Sequence, residues 1–236
     1  MRDLQGGSVF LGDLGRIGIC IATLFLIDRI VTRPIFPTDQ TGRWFALHAL
    51  ANAVIVVMCA PDAWTSISDP IMGGVGDFNM WTMYMIAAIH MYHVMFFDNL
   101  TAADWVHHLL FGGIICSMGL FFTAGPGMGF LAFFLCGLPG GLDYLMLALV
   151  KLGKMASNTE KRWNARIMVW VRAPGCVLIA NGFYVAILYG PRKVSGPEMV
   201  AAILAGMLCF VNGQYYMQKV VGNAYEKDGQ IKKTGC

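Results

Sequence analysis

Seven apolar stretches, separated by polar or Gly/Pro-containing segments, set the pattern of the chain. An α-helix rises about 1.5 Å per residue, so roughly 20 apolar residues cross a hydrocarbon core of about 30 Å. The pattern predicts spans at Leu14–Ile30, Trp44–Ala60, Asn79–Phe97, Trp105–Thr123, Met128 to about Val150, Ile167–Tyr189 and Glu198 to about Val220. The first could be a signal peptide, but no small-x-small cleavage site follows it. Asp28, Arg29 and Arg33 read instead as a membrane-edge flank, and the stretch is kept as a span. The expected fold class is all-α: a polytopic membrane helix bundle of about seven transmembrane helices, one domain over residues 1–236.

Two spans carry internal breaks. Gly137, Pro139, Gly140 and Gly141 fall in the middle of the fifth, and Pro174 with Gly175 in the sixth, so both are expected to be kinked or interrupted. Gly137-xxx-Gly141 also has the spacing of close helix packing. Trp44, Trp170, Tyr215 and Tyr216 read as interfacial anchors.

Composition agrees with the pattern. The chain is 57% hydrophobic and 13% charged, with a mean hydropathy of +0.59, whereas soluble domains carry about 25% charged residues. The net charge of +3 comes without any run of four Lys or Arg, so neither a nucleic-acid surface nor a polybasic membrane patch is expected. The seven cysteines lie in or beside apolar segments, apart from Cys236, and none has zinc-site spacing; they read as small buried residues.

Charge does fix a direction. Alternating the loops puts Arg29, Arg33, Arg43, Lys151, Lys154, Lys161, Arg162, Arg166, Lys219, Lys227, Lys232 and Lys233 on one side, against Arg2, Arg16, Arg192 and Lys193 on the other. The positive-inside rule then predicts an outside or lumenal N-terminus and a cytoplasmic C-terminus. The sequon Asn99-Leu100-Thr101 would lie on the cytoplasmic side, where it would carry no glycan.

With direction set, depth follows from the helical rise. His90, His93, His107 and His108 bracket the third connection, and His48 sits four residues into the second span from the same side. Asp143 and Arg172 both lie roughly 10 Å from that interface, on successive spans, and are expected to pair. All five histidines therefore collect in one polar layer near the cytoplasmic side, and ionisable residues inside a membrane segment mark a site. His90 and His93 share a helical face, while His107 and His108 point about 100° apart, so one of that pair is expected to face the interior.

His90-Met91-Tyr92-His93, followed by Asp104-Trp105-Val106-His107-His108, resembles the TLC domain family, with Arg43-Trp44 and the topology in support, over about residues 40–220. The resemblance implies a multi-pass membrane protein of lipid metabolism, in endoplasmic reticulum or another endomembrane. It implies an acyltransferase-like site with acyl-CoA as a substrate and no bound cofactor. His107 and His108 would be catalytic, with His93 and Asp104 orienting them, and His90, His48, Asp143 and Arg172 binding substrate. The longer ceramide synthase signature is absent: no serine, asparagine, arginine series follows His108, and no later histidine occurs.

A neutral imidazole serves as general base or acyl carrier near pH 7. The alternative is a non-enzymatic lipid-binding or sensing protein, or an accessory subunit of a membrane complex. Membrane lipids are the expected partners, with a homo-oligomer or membrane-complex partners compatible and no nucleic acid. A histidine-ligated metal is a third reading, but His-rich lipid oxygenases spread several boxes along the chain, and here there is one cluster.

Overall fold

The computed structural model describes residues 8–74, 77–98, 100–121, 125–191, 193–194 and 196–234. Arg2, Asn99, Thr123, Ala124, Arg192 and Cys236 lie outside them. The described residues are helical throughout, joined by turns. In chain order the helices are α1 Ser8–Ile27, α2 Gln40–Ser68, α3 Trp81–Phe96, α4 opening as Ala102–His107, α5 Gly127–Lys151 and α6 Ser157–Tyr189, and α7 Gly196–Thr234. Four of them are long and apolar enough to cross a membrane: α2, α5, α6 and α7 up to Lys227. That is the signature of an integral membrane protein.

Several helices outrun their apolar cores. The polar run from Ser157 to Arg166 forms the first turns of α6 instead of a loop, because Glu160 and Asn164, one turn apart, turn inward together. The connection at 61–78 shrinks because α2 continues through Pro61 to Ser68. Asp39 caps α2 by accepting the Gly42 N–H at 3.0 Å. Gly125 (φ 55°) precedes α5 and Gly153 (φ 68°) follows it, both in a backbone region that disfavours a side chain.

The expected breaks take a specific form. Asp28–Thr32, Phe133–Gly137 and Met168–Arg172 are π-helical, and each ends two residues before a proline: Pro34, Pro139 and Pro174. A proline lacks an N–H and clashes with the carbonyl four residues back, which is Ile30, Leu135 or Trp170 here. Each of those residues lies inside the widened turn, so the helix continues through its proline. A fourth π-helical stretch, His108–Ile115, carries α4 on to Cys116–Phe121 and contains no proline.

Helix α3 is the centre of the first half, with every residue from Thr82 to Ile89 buried, and it packs against α1, α2 and α4. Two tyrosines tie it to α1: Tyr84 donates to Asp13, and Tyr92 donates to Asp28 at 3.0 Å. Helix α5 lies along α2, where Gly137 faces Val56 and Gly141 faces Asn52, as their spacing predicts. Helices α6 and α7 form a closely packed pair. Neighbours run antiparallel, bringing Asp28, Arg43, Phe96, Lys151, Ser157 and Lys227 to one end of the bundle through cross-helix contacts.

Candidate histidine site and cavity

The site lies toward that end. Around Arg43 the end is closed by a buried network: its Nε is 3.2 Å from Asp28 Oδ1, and its guanidinium lies over the Phe97 ring. Asp28 also accepts Thr32 Oγ1 at 2.6 Å, so the π turn that accommodates Pro34 also positions this carboxylate. Asp28, expected at a membrane-edge flank, is buried instead. It is 3% exposed, and the signal that could have placed it is Tyr92, one helix away at matching depth.

The π-helical start at His108 shapes the histidine cluster. A turn that holds more residues steps less per residue, and both His107 and His108 turn inward rather than one. His108 is 8% exposed and stands between the two histidines of α3: its Nδ1 is 2.8 Å from His90 Nδ1 and its Nε2 is 2.8 Å from His93 Nδ1. His107 lies beside it, its ring centroid 5.1 Å from that of His90. Gly112 permits the approach, because a Cβ there would come within 2.9 Å of His90 Cβ. Asp104 also lines the cavity described below, and it accepts from the Thr101 N–H at 2.8 Å and the Thr101 hydroxyl at 2.7 Å as part of a capping box. Its hydrogen bonds hold the start of α4.

A layer of stacked rings continues the cluster across α2 and α5. Trp44 is buried, not interfacial. Its ring lies 3.6 Å from His93 in a near-parallel stack and meets His48 edge-on at 4.6 Å. His48 in turn stacks on Tyr144 at 4.0 Å. Asp143 and Arg172 share the expected depth but do not pair with each other. Asn164 donates to Asp143 at 2.7 Å, and Arg172 donates to Asn212 at 2.7 Å while lying over the Tyr216 ring. Amides on neighbouring helices supply neutral partners, so neither charge needs the other.

These elements enclose a cavity of about 320 Å³. Its polar end is built by His48, Asn52, His90, His107, Asp143, Arg172 and Asn212, with the exposed Lys219 at the rim. Toward the opposite end the walls are apolar: Ile55, Met83, Ile86, Leu131 and Leu135. Asn52, Tyr144, Asn212, Tyr216 and Lys219 were not singled out from the sequence as site residues. Asn212 was within reach of the depth argument, lying eight residues before Val220 at the end of the last predicted span.

The polar end is incompletely satisfied. His48 Nδ1, Asn52 Nδ2 and Arg172 Nε are buried and have no hydrogen-bond partner among the described residues. His48 and Asn52, at i and i+4 on α2, share one face. Buried polar groups are almost always paired, so three such atoms on residues lining one cavity mark a place for polar ligand atoms. The two nitrogens of His108 face different rings rather than a common point. Among the described residues no group of three or more His, Cys, Asp or Glu is placed to hold a metal ion. The chain matches no family model, no curated protein and no solved structure.

Proposed function

We propose that the chain crosses the membrane seven times, with its N-terminus outside or lumenal and its C-terminus cytoplasmic, and that the cavity takes a membrane amphiphile from the cytoplasmic leaflet. The polar head sits against His48, Asn52 and Arg172, and the acyl chain runs along Ile55, Leu131 and Leu135. The observation that carries this reading is the set of three unpartnered buried polar atoms at the polar end of a cavity whose other end is apolar. Small-molecule sites have this composition: apolar walls with a few convergent polar groups.

The histidines give the site its chemistry, and acyl transfer is the reaction that suits them. In such a step a base takes the proton of an attacking hydroxyl or amine, the nucleophile bonds to the acyl carbon, and the leaving group departs with a proton. Both nitrogens of His108 are engaged by neighbouring rings. The direct role therefore falls to His90 and His107, which line the cavity. Membership of the TLC domain family and residence in an endomembrane belong to the same proposal, on the residues quoted from the sequence. The test is the lipid profile of cells expressing the wild type against the His107→Ala/His108→Ala double variant. A changed acyl-lipid profile in the wild type alone supports catalysis.

A second reading favours binding without turnover, as a lipid sensor or an accessory subunit of a membrane complex. The mutual engagement of His90, His93 and His108 supports it, because rings bonded to one another also serve as a brace between α3 and α4. An unchanged lipid profile, with lipid still co-purifying, would select this reading.

A further inference from the structure

We propose that His90, His108 and His93 form a proton relay that joins the cavity to the outside of the bundle. This inference rests on the cavity being the working site, and it assigns His108 and His93 a role that needs no contact with the ligand.

The geometry is that of a wire. Two nitrogen-to-nitrogen contacts of 2.8 Å connect three rings in series, His90 Nδ1 to His108 Nδ1 and His108 Nε2 to His93 Nδ1. His90 lines the cavity, His108 is buried between helices, and His93 is half-buried without lining the cavity. The exposed part of His93 therefore faces away from the cavity, near the end of α3 at Phe96.

Each neutral ring carries one proton, and a hydrogen bond between two imidazoles needs one proton between them. The chain consequently has two equivalent arrangements. In the first, His90 Nδ1–H donates to His108 and His108 Nε2–H donates to His93, leaving His90 Nε2 bare and a proton on His93 Nε2. When a proton from the cavity reaches His90 Nε2, the Nδ1 proton moves to His108 Nδ1. The Nε2 proton of His108 moves to His93 Nδ1, and the proton on His93 Nε2 leaves. Every ring ends with one proton and the opposite tautomer. A proton entering at His93 Nε2 runs the sequence backwards and restores the first arrangement, as a base that later returns its proton requires.

A structural brace differs from a relay in one respect that can be measured: a brace needs only one tautomeric arrangement. The experiment is nuclear magnetic resonance on the full chain in lipid nanodiscs with nitrogen-15 in its histidines. The relay predicts two nitrogen–nitrogen couplings across hydrogen bonds, and averaged Nδ1 and Nε2 shifts for His108. In His93→Phe, whose ring retains the stack on Trp44, the His90–His108 coupling should survive while averaging at His108 stops, because its far nitrogen has no acceptor. A single fixed tautomer in the wild type, missing couplings, or averaging that persists in His93→Phe would overturn the relay. Spin-labelled stearate binding, measured on the same samples, reports on the cavity separately: absent binding with intact averaging in the wild type retires the amphiphile reading and leaves the relay standing.

Discussion

His108 Nε2 lies 2.8 Å from His93 Nδ1, joining the first π-helical residue of α4 to the last turn of α3. The contact fixes how two helices meet, and it accounts for the π-helical stretch there, which lacks the proline that follows the other three. Such widened turns concentrate at functional sites.

Removing the central ring should cost more than removing its neighbour. His108→Ala deletes both imidazole contacts and leaves His90 and His93 each with an unpaired nitrogen, a loss of about 2 kcal/mol. His107→Ala, at the cavity wall, should cost less. Thermal unfolding of the two variants in detergent checks the order.

Gly112 and Gly113 provide a matched pair. A Cβ on Gly112 would sit 2.9 Å from His90 Cβ, whereas one on Gly113 meets nothing nearer than 3.9 Å. Gly112→Ala should push α4 from α3, destabilise by about 1–3 kcal/mol and separate the histidine rings. Gly113→Ala should be close to neutral on both counts, as read by thermal unfolding and histidine spectra.

Much of this arrangement was legible in the sequence because hydrophobic run length and helical rise are strong constraints. Apolar runs located the helices, and counting residues from one interface gathered His48, His90, His93, His107, His108, Asp143 and Arg172 at one level, where five of the seven line one cavity, His108 stands behind His90 and His93 behind His108. Partner choice was not legible. Rotation of about 100° per residue separated His107 from His108, and the π-helical start at His108 brought both inward. Equal depth suggested that Asp143 binds Arg172, but Asn164 and Asn212, uncharged and therefore inconspicuous, took those bonds. Trp44 read as an anchor because tryptophan favours interfaces; its stack on His93 buries it.

The Asp28 network predicts an unequal pair of losses. Asp28→Ala leaves the Arg43 guanidinium beside Asp28 buried without its carboxylate and should cost about 3–5 kcal/mol. Tyr92→Phe removes one hydrogen bond to a charged group, about 1.5–3 kcal/mol. The double variant should fall short of the sum, because the hydroxyl has no acceptor once Asp28 is gone. Unfolding of the three variants measures the cycle.

Asp39 carries a pH dependence. The Gly42 N–H, and beyond it Lys151 at 3.5 Å, hold its carboxyl below the ordinary range against a smaller opposing effect of burial. A carboxyl with a lowered folded-state pKa contributes stability that is present above its unfolded value, about 3.9, and is lost as pH falls through the folded value. Asp39→Ala should therefore cost about 1 kcal/mol at neutral pH. The deficit should narrow below about pH 4, which melting of both proteins across that range would show.

The central claim is that the cavity holds one amphiphile with its head at the histidine end and its chain among the apolar walls. A fatty acid bearing a photoreactive diazirine at the end of its chain, bound to the protein in nanodiscs, tests this directly. After irradiation and peptide mapping, the account predicts label on the segments containing Ile55, Leu131 and Leu135, reduced when Asn52→Leu or Arg172→Met removes the polar seat. Label confined to outward-facing residues such as Val200, Ile203 and Met207, and indifferent to those substitutions, would contradict it.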